Sequence, residues 1–248
     1  MTTLKQNVLE AENFALREMV ARAGLDASRL LEQAGIKATE RDAAERLQRL
    51  LFEELHHRVK NTLATVMAIA TQSLKNATDL EQGRESISHR LIALGRAHDL
   101  LLQTNWTRAS LPAIVRAAIE PFESPPHEKF VVRGAEIDVA PAAVLALAMA
   151  LNELCTNAVK YGALSIPKGS VEITSVLDED AQRFKLIWEE KNGPTVKPPA
   201  RRSFGTRLIE SSLARLLHGD ARLRFEPSGV VCEFDFPLAA LIDSDRNA

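Results

Sequence analysis

Two groups of residues in this 248-residue chain have the types and spacing to do chemistry. The first is the pair His56-His57, within Glu53-Glu54-Leu55-His56-His57-Arg58-Val59-Lys60-Asn61. At about 100° per residue, Leu51, Leu55, Val59, Val66, Ile69 and Ala70 share one helix face, with Leu63 at its edge. His57 points away from that face, among Glu53, Lys60 and Asn61, and His56 sits nearer the seam. A neutral imidazole so presented is a competent nucleophile near pH 7, because the unperturbed histidine pKa is about 6.5. A solvated face with an incidental histidine pair is the alternative. The second group is Asn152-Glu153-Leu-Cys-Thr-Asn157-Ala-Val-Lys160-Tyr161-Gly162, which sets Glu153, Asn157 and Lys160 on one side of an otherwise apolar helix. The Asn157 carboxamide oxygen suits Mg²⁺, which prefers oxygen ligands and keeps several waters. Lys160 offers a point positive charge for phosphate. The competing reading is a solvated polar edge.

The elements that must position these residues follow from periodicity. Residues 4–22 read as a helix, and Ala23-Gly24-Leu25-Asp26-Ala27 recurs eleven residues later as Ala34-Gly35-Ile36-Lys37-Ala38. That spacing, close to three helical turns, keeps an apolar face in phase. The segment is either a packing or coiled-coil extension or a signal-input helix. One long helix is expected from about Thr39 to Lys75, a break with cap residues at 76–79, and a second helix from about Leu80 to Gln103. In that second helix Ile87, Leu91, Leu94, His98 and Leu101 form a heptad stripe, which makes His98 a packed histidine and leaves His89 on the surface. Two such helices form a hairpin, and two hairpins form a four-helix bundle. A short helix is expected over 111–122, and Ser124-Pro125-Pro126 marks a boundary. Beyond it lie a strand at 130–133, a long helix from Pro141 to Tyr161, paired strands at 171–177 and 184–188, a loop, a helix from Phe204 to Leu217, and a last strand pair around Pro227-Ser228-Gly229. This is an α+β chain whose second half is a sandwich, a mixed sheet carrying helices on one face.

Composition bounds the rest. A hydrophobic content of 46% supports a core, and a net charge of −2 points to neither nucleic acid nor an anionic membrane as the main partner. Cys155 and Cys232 stand far apart in apolar contexts and read as buried free thiols. No apolar run is expected to reach the roughly 20 residues of a membrane span, and no basic-then-apolar leader opens the chain. A cytoplasmic protein is the expectation.

The residues Glu54, Leu55, His57, Arg58 and Asn61 match the box Glu-Leu-x-His-Arg-x-x-Asn of sensor histidine kinases, and the chain resembles the HWE kinases and the related HisKA_2 group. The stretch around Asn157 resembles their N box and that of the wider GHKL (Bergerat) ATPase fold. Trp188-Glu189-Glu190 matches the Trp-x-Glu signature, and Phe204-Gly205-Thr206-Arg207-Leu208-Ile209 matches the G2 box. The resemblance covers roughly residues 50–238, with four motifs in the expected order, a combination far more specific than any one of them. Asn152 stands where the HWE group has histidine, Asn192 precedes Gly193-Pro194 where the family has glycine, and Ser203 replaces the glycine before Phe204.

The resemblance implies that His57 is the phosphorylated residue, that Asn157 carries Mg²⁺, and that Glu153 is the acidic residue near the reacting γ-phosphate. It further implies that Glu190 accepts from the adenine amino group, that Gly193 lets backbone pass close to the base, and that Phe204, Gly205, Thr206 and Arg207 bring helix N-terminal amides to the phosphates of ATP. The implied organisation is an N-terminal helical segment over 1–45, a dimerisation and phosphotransfer domain over 46–123, a catalytic ATP-binding domain over 124–241 and a tail over 242–248. The partners are a response-regulator receiver domain and a second copy through the hairpin. Two further readings stay open: a phosphotransfer or scaffold protein with a degenerate ATP site, and an ATPase of the same fold that does not phosphorylate histidine.

Overall fold

The structure, a computed structural model, describes residues 18–26, 29, 38–77, 79–104, 106–123, 129–196, 198, 209–210 and 217–242. The chain divides into two compact units, residues 1–68 and 69–248. In the first, residues 18–26 are helical (α1), so the expected helix over 4–22 is described from residue 18 onward. The long helix α2 runs Ala38–Asn76. Its apolar stripe is not buried within the unit: Leu51 and Leu55 are 56% exposed and Leu63 is 44% exposed. The expected face exists, but among the described residues of a single copy it stays exposed there.

The second unit begins with the last turns of α2. Asp79 caps α3, Leu80–Gln103, by accepting from the Gln82 amide at 2.8 Å. Leu94 and Leu101 of the heptad stripe are buried, while Ile87, Leu91 and His98 are half-buried. His98 meets Trp106 edge-on, with ring centroids 5.2 Å apart, and its pKa is lowered by burial, with Asp99 opposing. His89 is exposed. Next come β1 (Ala109–Ser110), α4 (Leu111–Ile119) and a 3₁₀ turn, Glu120–Phe122. β1 pairs with β3 (Asp138–Val139), a two-residue ribbon too short to carry a readable alternation.

The sheet is mixed, in the order β2 (Phe130–Gly134), β4 (Ser170–Asp178), β5 (Arg183–Lys191), β7 (Gly229–Pro237), β6 (Asp220–Glu226). β2 and β4 are parallel and the other pairs antiparallel. Alternation sends Ile173, Phe184, Leu186, Trp188, Phe234 and Phe236 inward, where all are buried. There they join α4, α5 (Pro141–Lys160) and the short closing helix α6 (Leu238–Ile242) in one core. Each large apolar side chain so buried contributes on the order of 1.5–3 kcal/mol. The opposite face carries ion pairs, Lys191 to Glu172 at 2.5 Å and Arg183 to Asp235 at 2.7 Å.

Sequence reading underrates α5. With 20 residues and a mean hydropathy of 1.5 over its most apolar window, α5 is long and apolar enough to cross a membrane, yet 67% of that window is buried. Its apolarity fits burial from several sides at once, by α3, α4 and the core. Cys155 and Cys232 are both buried free thiols, and desolvation pushes both upward.

Candidate functional site

α5 presents its polar residues as a gradient. Glu153 is buried, Asn157 one turn later is half-buried, and Lys160 at the helix end is exposed. Positions i, i+4 and i+7 share a face, so the face leads from the core to the surface. The helix closes with Tyr161 and Gly162 amides on the Asn157 carbonyl, at 2.8 and 3.2 Å.

The turn after α5 carries the chain to Glu190. The Ala163 amide donates to Glu190 Oε2 at 2.7 Å, and Glu190 is only 4% exposed on the inward side of β5. Burial raises its pKa, and the Ala163 amide and Trp188 oppose that shift. Among the described residues the Trp188 Nε1–H has no partner at hydrogen-bonding distance, yet it lies near enough to favour the charged carboxylate. Trp188 itself is fully buried and packs edge-on to Phe130 at 6.2 Å, so the tryptophan of the Trp-x-Glu signature is a core residue here.

Two glycines make this junction possible. A Cβ at Gly162 would overlap the Glu190 carboxylate, and one at Gly193 would stand 2.7 Å from the Ala163 Cα. Asn192 adopts φ +56°, the left-handed region that asparagine tolerates better than most residues, so its replacement of glycine is accommodated. The structure therefore brings Asn157, Lys160, Glu190 and Gly193 to one end of α5, around Ala163. Sequence reading missed Ala163 and Gly162 as the hub. The signal was there in Gly162, which directly follows the polar face.

Glu153 meets a different set of partners. Both of its oxygens accept from Arg90 of α3, Oε1 from Nε at 2.6 Å and Oε2 from Nη2 at 2.9 Å. Arg90 also donates to Ser73 at 2.6 Å and Ser86 at 2.7 Å. Glu153, expected from its motif to lie near the γ-phosphate, is engaged by a guanidinium in this structure. No periodicity pairs residues 63 apart, so Arg90 could not be found from sequence.

Among the described residues no group of three or more His, Cys, Asp or Glu side chains is arranged to hold a metal ion. The donor set at α5 fits a cation held by one amide oxygen, waters and a ligand's phosphates, which is how Mg²⁺ is commonly bound. Ser203, Phe204, Gly205, Thr206 and Arg207 lie outside the described residues. A groove of about 740 Å³ between α4 and strands β2 and β4 is lined by none of the predicted site residues. In the other unit His57 is exposed on α2, along with Glu53, Lys60 and Asn61. His56 is exposed too, so accessibility does not separate the two histidines.

The family model for HWE histidine kinase matches residues 54–136. A blue-light-activated histidine kinase of Brucella anthropi is 40% identical over 225 residues, 90% of this chain and 46% of that protein. One from Brucella ovis is 42% identical over 202 residues, 81% of this chain and 41% of that protein. The chain thus spans somewhat less than half the length of these curated relatives. Among solved structures, the histidine kinase domain of the Erythrobacter litoralis EL346 blue-light activated histidine kinase superposes with a TM-score of 0.55 at 18% identity, covering 80% of this chain and 95% of that one. At that identity the likeness shows the fold, and it is the fold expected for the C-terminal sandwich with helices before it.

Proposed function

We propose that this chain, whose residues 54–136 match the family model for HWE histidine kinase, phosphorylates itself on His57 from Mg-ATP. The phosphoryl group then passes to an aspartate of a response-regulator receiver domain. The observation that carries the nucleotide half is the junction at Ala163, where the polar face of α5 and the buried Glu190 meet. Glu190 accepts from the adenine amino group with the capacity left beside the Ala163 bond, since a carboxylate offers about four lone-pair sites. Gly193 keeps side-chain atoms out of the way, Asn157 holds Mg²⁺ and Lys160 faces phosphate. By their resemblance to the G2 box, Phe204, Gly205, Thr206 and Arg207 are assigned to the same phosphates. Bound Mg²⁺ screens phosphate charge.

The chain's own task is to hold donor and acceptor in line, as in other phosphoryl transfers. A His57 nitrogen attacks the γ-phosphorus, an N–P bond forms, the P–O bond to ADP breaks, and the imidazole proton leaves to solvent.

Glu190→Gln tests the nucleotide half. The amide oxygen still accepts from Ala163, so the fold is kept, but the –NH₂ then faces the adenine amino group, donor against donor. Losing one charge-assisted bond, roughly 1.5–3 kcal/mol, weakens ATP binding by about tenfold or more. Calorimetry with ATP and GTP reads this as lost affinity for ATP and lost discrimination. Unchanged ATP affinity places the base elsewhere.

A homodimer is part of the proposal, supported by the uncovered α2 stripe of Leu51, Leu55, Val59, Leu63 and Met67, all at least 44% exposed. Sedimentation should give a dimer that Leu55→Glu with Val59→Glu converts to monomer. A wild-type monomer at all concentrations tested removes this element.

A further inference from the structure

Resting on the reading of α5 as the nucleotide helix, we infer that Arg90 and Glu153 form a positioning clamp, and that Glu153 serves phosphotransfer by fixing α5 rather than by touching the γ-phosphate. The pair is buried, with Arg90 8% and Glu153 6% exposed. Its geometry is two-pointed, at 2.6 and 2.9 Å, and the guanidinium is steadied by Ser73 of α2 and Ser86 of α3. Three helices therefore converge on one charge pair.

The clamp's role is one of positioning. A buried ion pair often stabilises no better than well-packed apolar side chains, so net stability is a poor reason for one; fixing register is its best-attested use. The planar fork of arginine fits a carboxylate in one orientation, which sets rotation as well as distance. Glu153 stands one turn before Asn157 on the same face, so any slip of α5 against α3 displaces the Asn157 amide. A misplacement of about 1 Å lowers an aligned reaction by roughly a hundredfold. A carboxylate with both oxygens on one guanidinium must break that pair before it can meet a proton or a metal.

The test measures phosphorylation rate and affinity for a fluorescent ATP analogue in parallel, on the full chain. Arg90→Met and Glu153→Leu singly should each slow phosphorylation by at least about tenfold while analogue affinity stays within a few-fold, because each breaks the two-pointed contact that fixes α5 against α3. The double variant Arg90→Met/Glu153→Leu replaces the pair by apolar groups of similar size and should recover much of the rate. A double variant that folds and binds the analogue, yet is as slow as Glu153→Leu alone, shows that the carboxylate acts in the chemistry and overturns the clamp. If the double variant does not fold, Arg90→Lys decides: a point charge cannot hold both oxygens, so the rate should fall with affinity unmoved, and an unchanged rate overturns the proposal. A wild-type chain that binds the analogue without forming phosphohistidine defeats the kinase reading itself, a different failure.

Discussion

His57→Ala should bind ATP as the wild type does and accept no phosphate at all. His56→Ala should keep most of the label. Neither change threatens α2, since both histidines are exposed and alanine is the better helix former, so any loss is chemical. The two residues are exposed neighbours, distinguished by their place on the helical wheel and by the spacing Glu54-Leu55-x-His57-Arg58-x-x-Asn61. On a helix they point about 100° apart, so a donor brought in line with one is misaligned for the other. Phosphopeptide mapping of both variants checks the assignment. Equal loss in the two, or label surviving in His57→Ala, removes His57 from the mechanism.

Asn157→Ala should abolish phosphorylation, with a fall of a hundredfold or more on the order of what misplaced reactants suffer. Asn157 is half-buried at the outer part of the α5 face. Truncating it there removes a cation ligand without opening a deep cavity, and alanine suits the helix interior. Melting temperature should move little. Nucleotide affinity without Mg²⁺ should be retained, and the extra affinity that Mg²⁺ gives the wild type should vanish. Asn157→Asp, which keeps an oxygen in place, should recover part of the rate. Full activity in Asn157→Ala with Mg²⁺ present assigns the cation to other ligands.

What the sequence disclosed and what it hid divide along physical lines. Local chemistry was legible: Asp79 as a cap fixed the start of α3, and inward alternation of Phe184, Leu186 and Trp188 marked β5. The polar face of α5 was legible for the same reason, since helical spacing alone brings Glu153, Asn157 and Lys160 together. Contacts between distant elements were not. Arg90 reads as one more basic residue on α3 until the fold sets it against Glu153. The Ala163 amide carries no side-chain signature, yet Glu190 is organised around it. The α2 stripe illustrates a third case: its pattern was read correctly, but Leu51, Leu55, Val59 and Leu63 stay exposed among the described residues.

The central claim is a phosphohistidine formed from ATP. The most direct measurement incubates the wild-type chain with γ-labelled ATP and Mg²⁺, then treats the labelled protein with acid and with base. The account predicts label on His57 that is lost in acid and survives base, as an N–P bond requires. Acid-stable label on a hydroxyl residue, or no label from a chain that binds ATP, would contradict it.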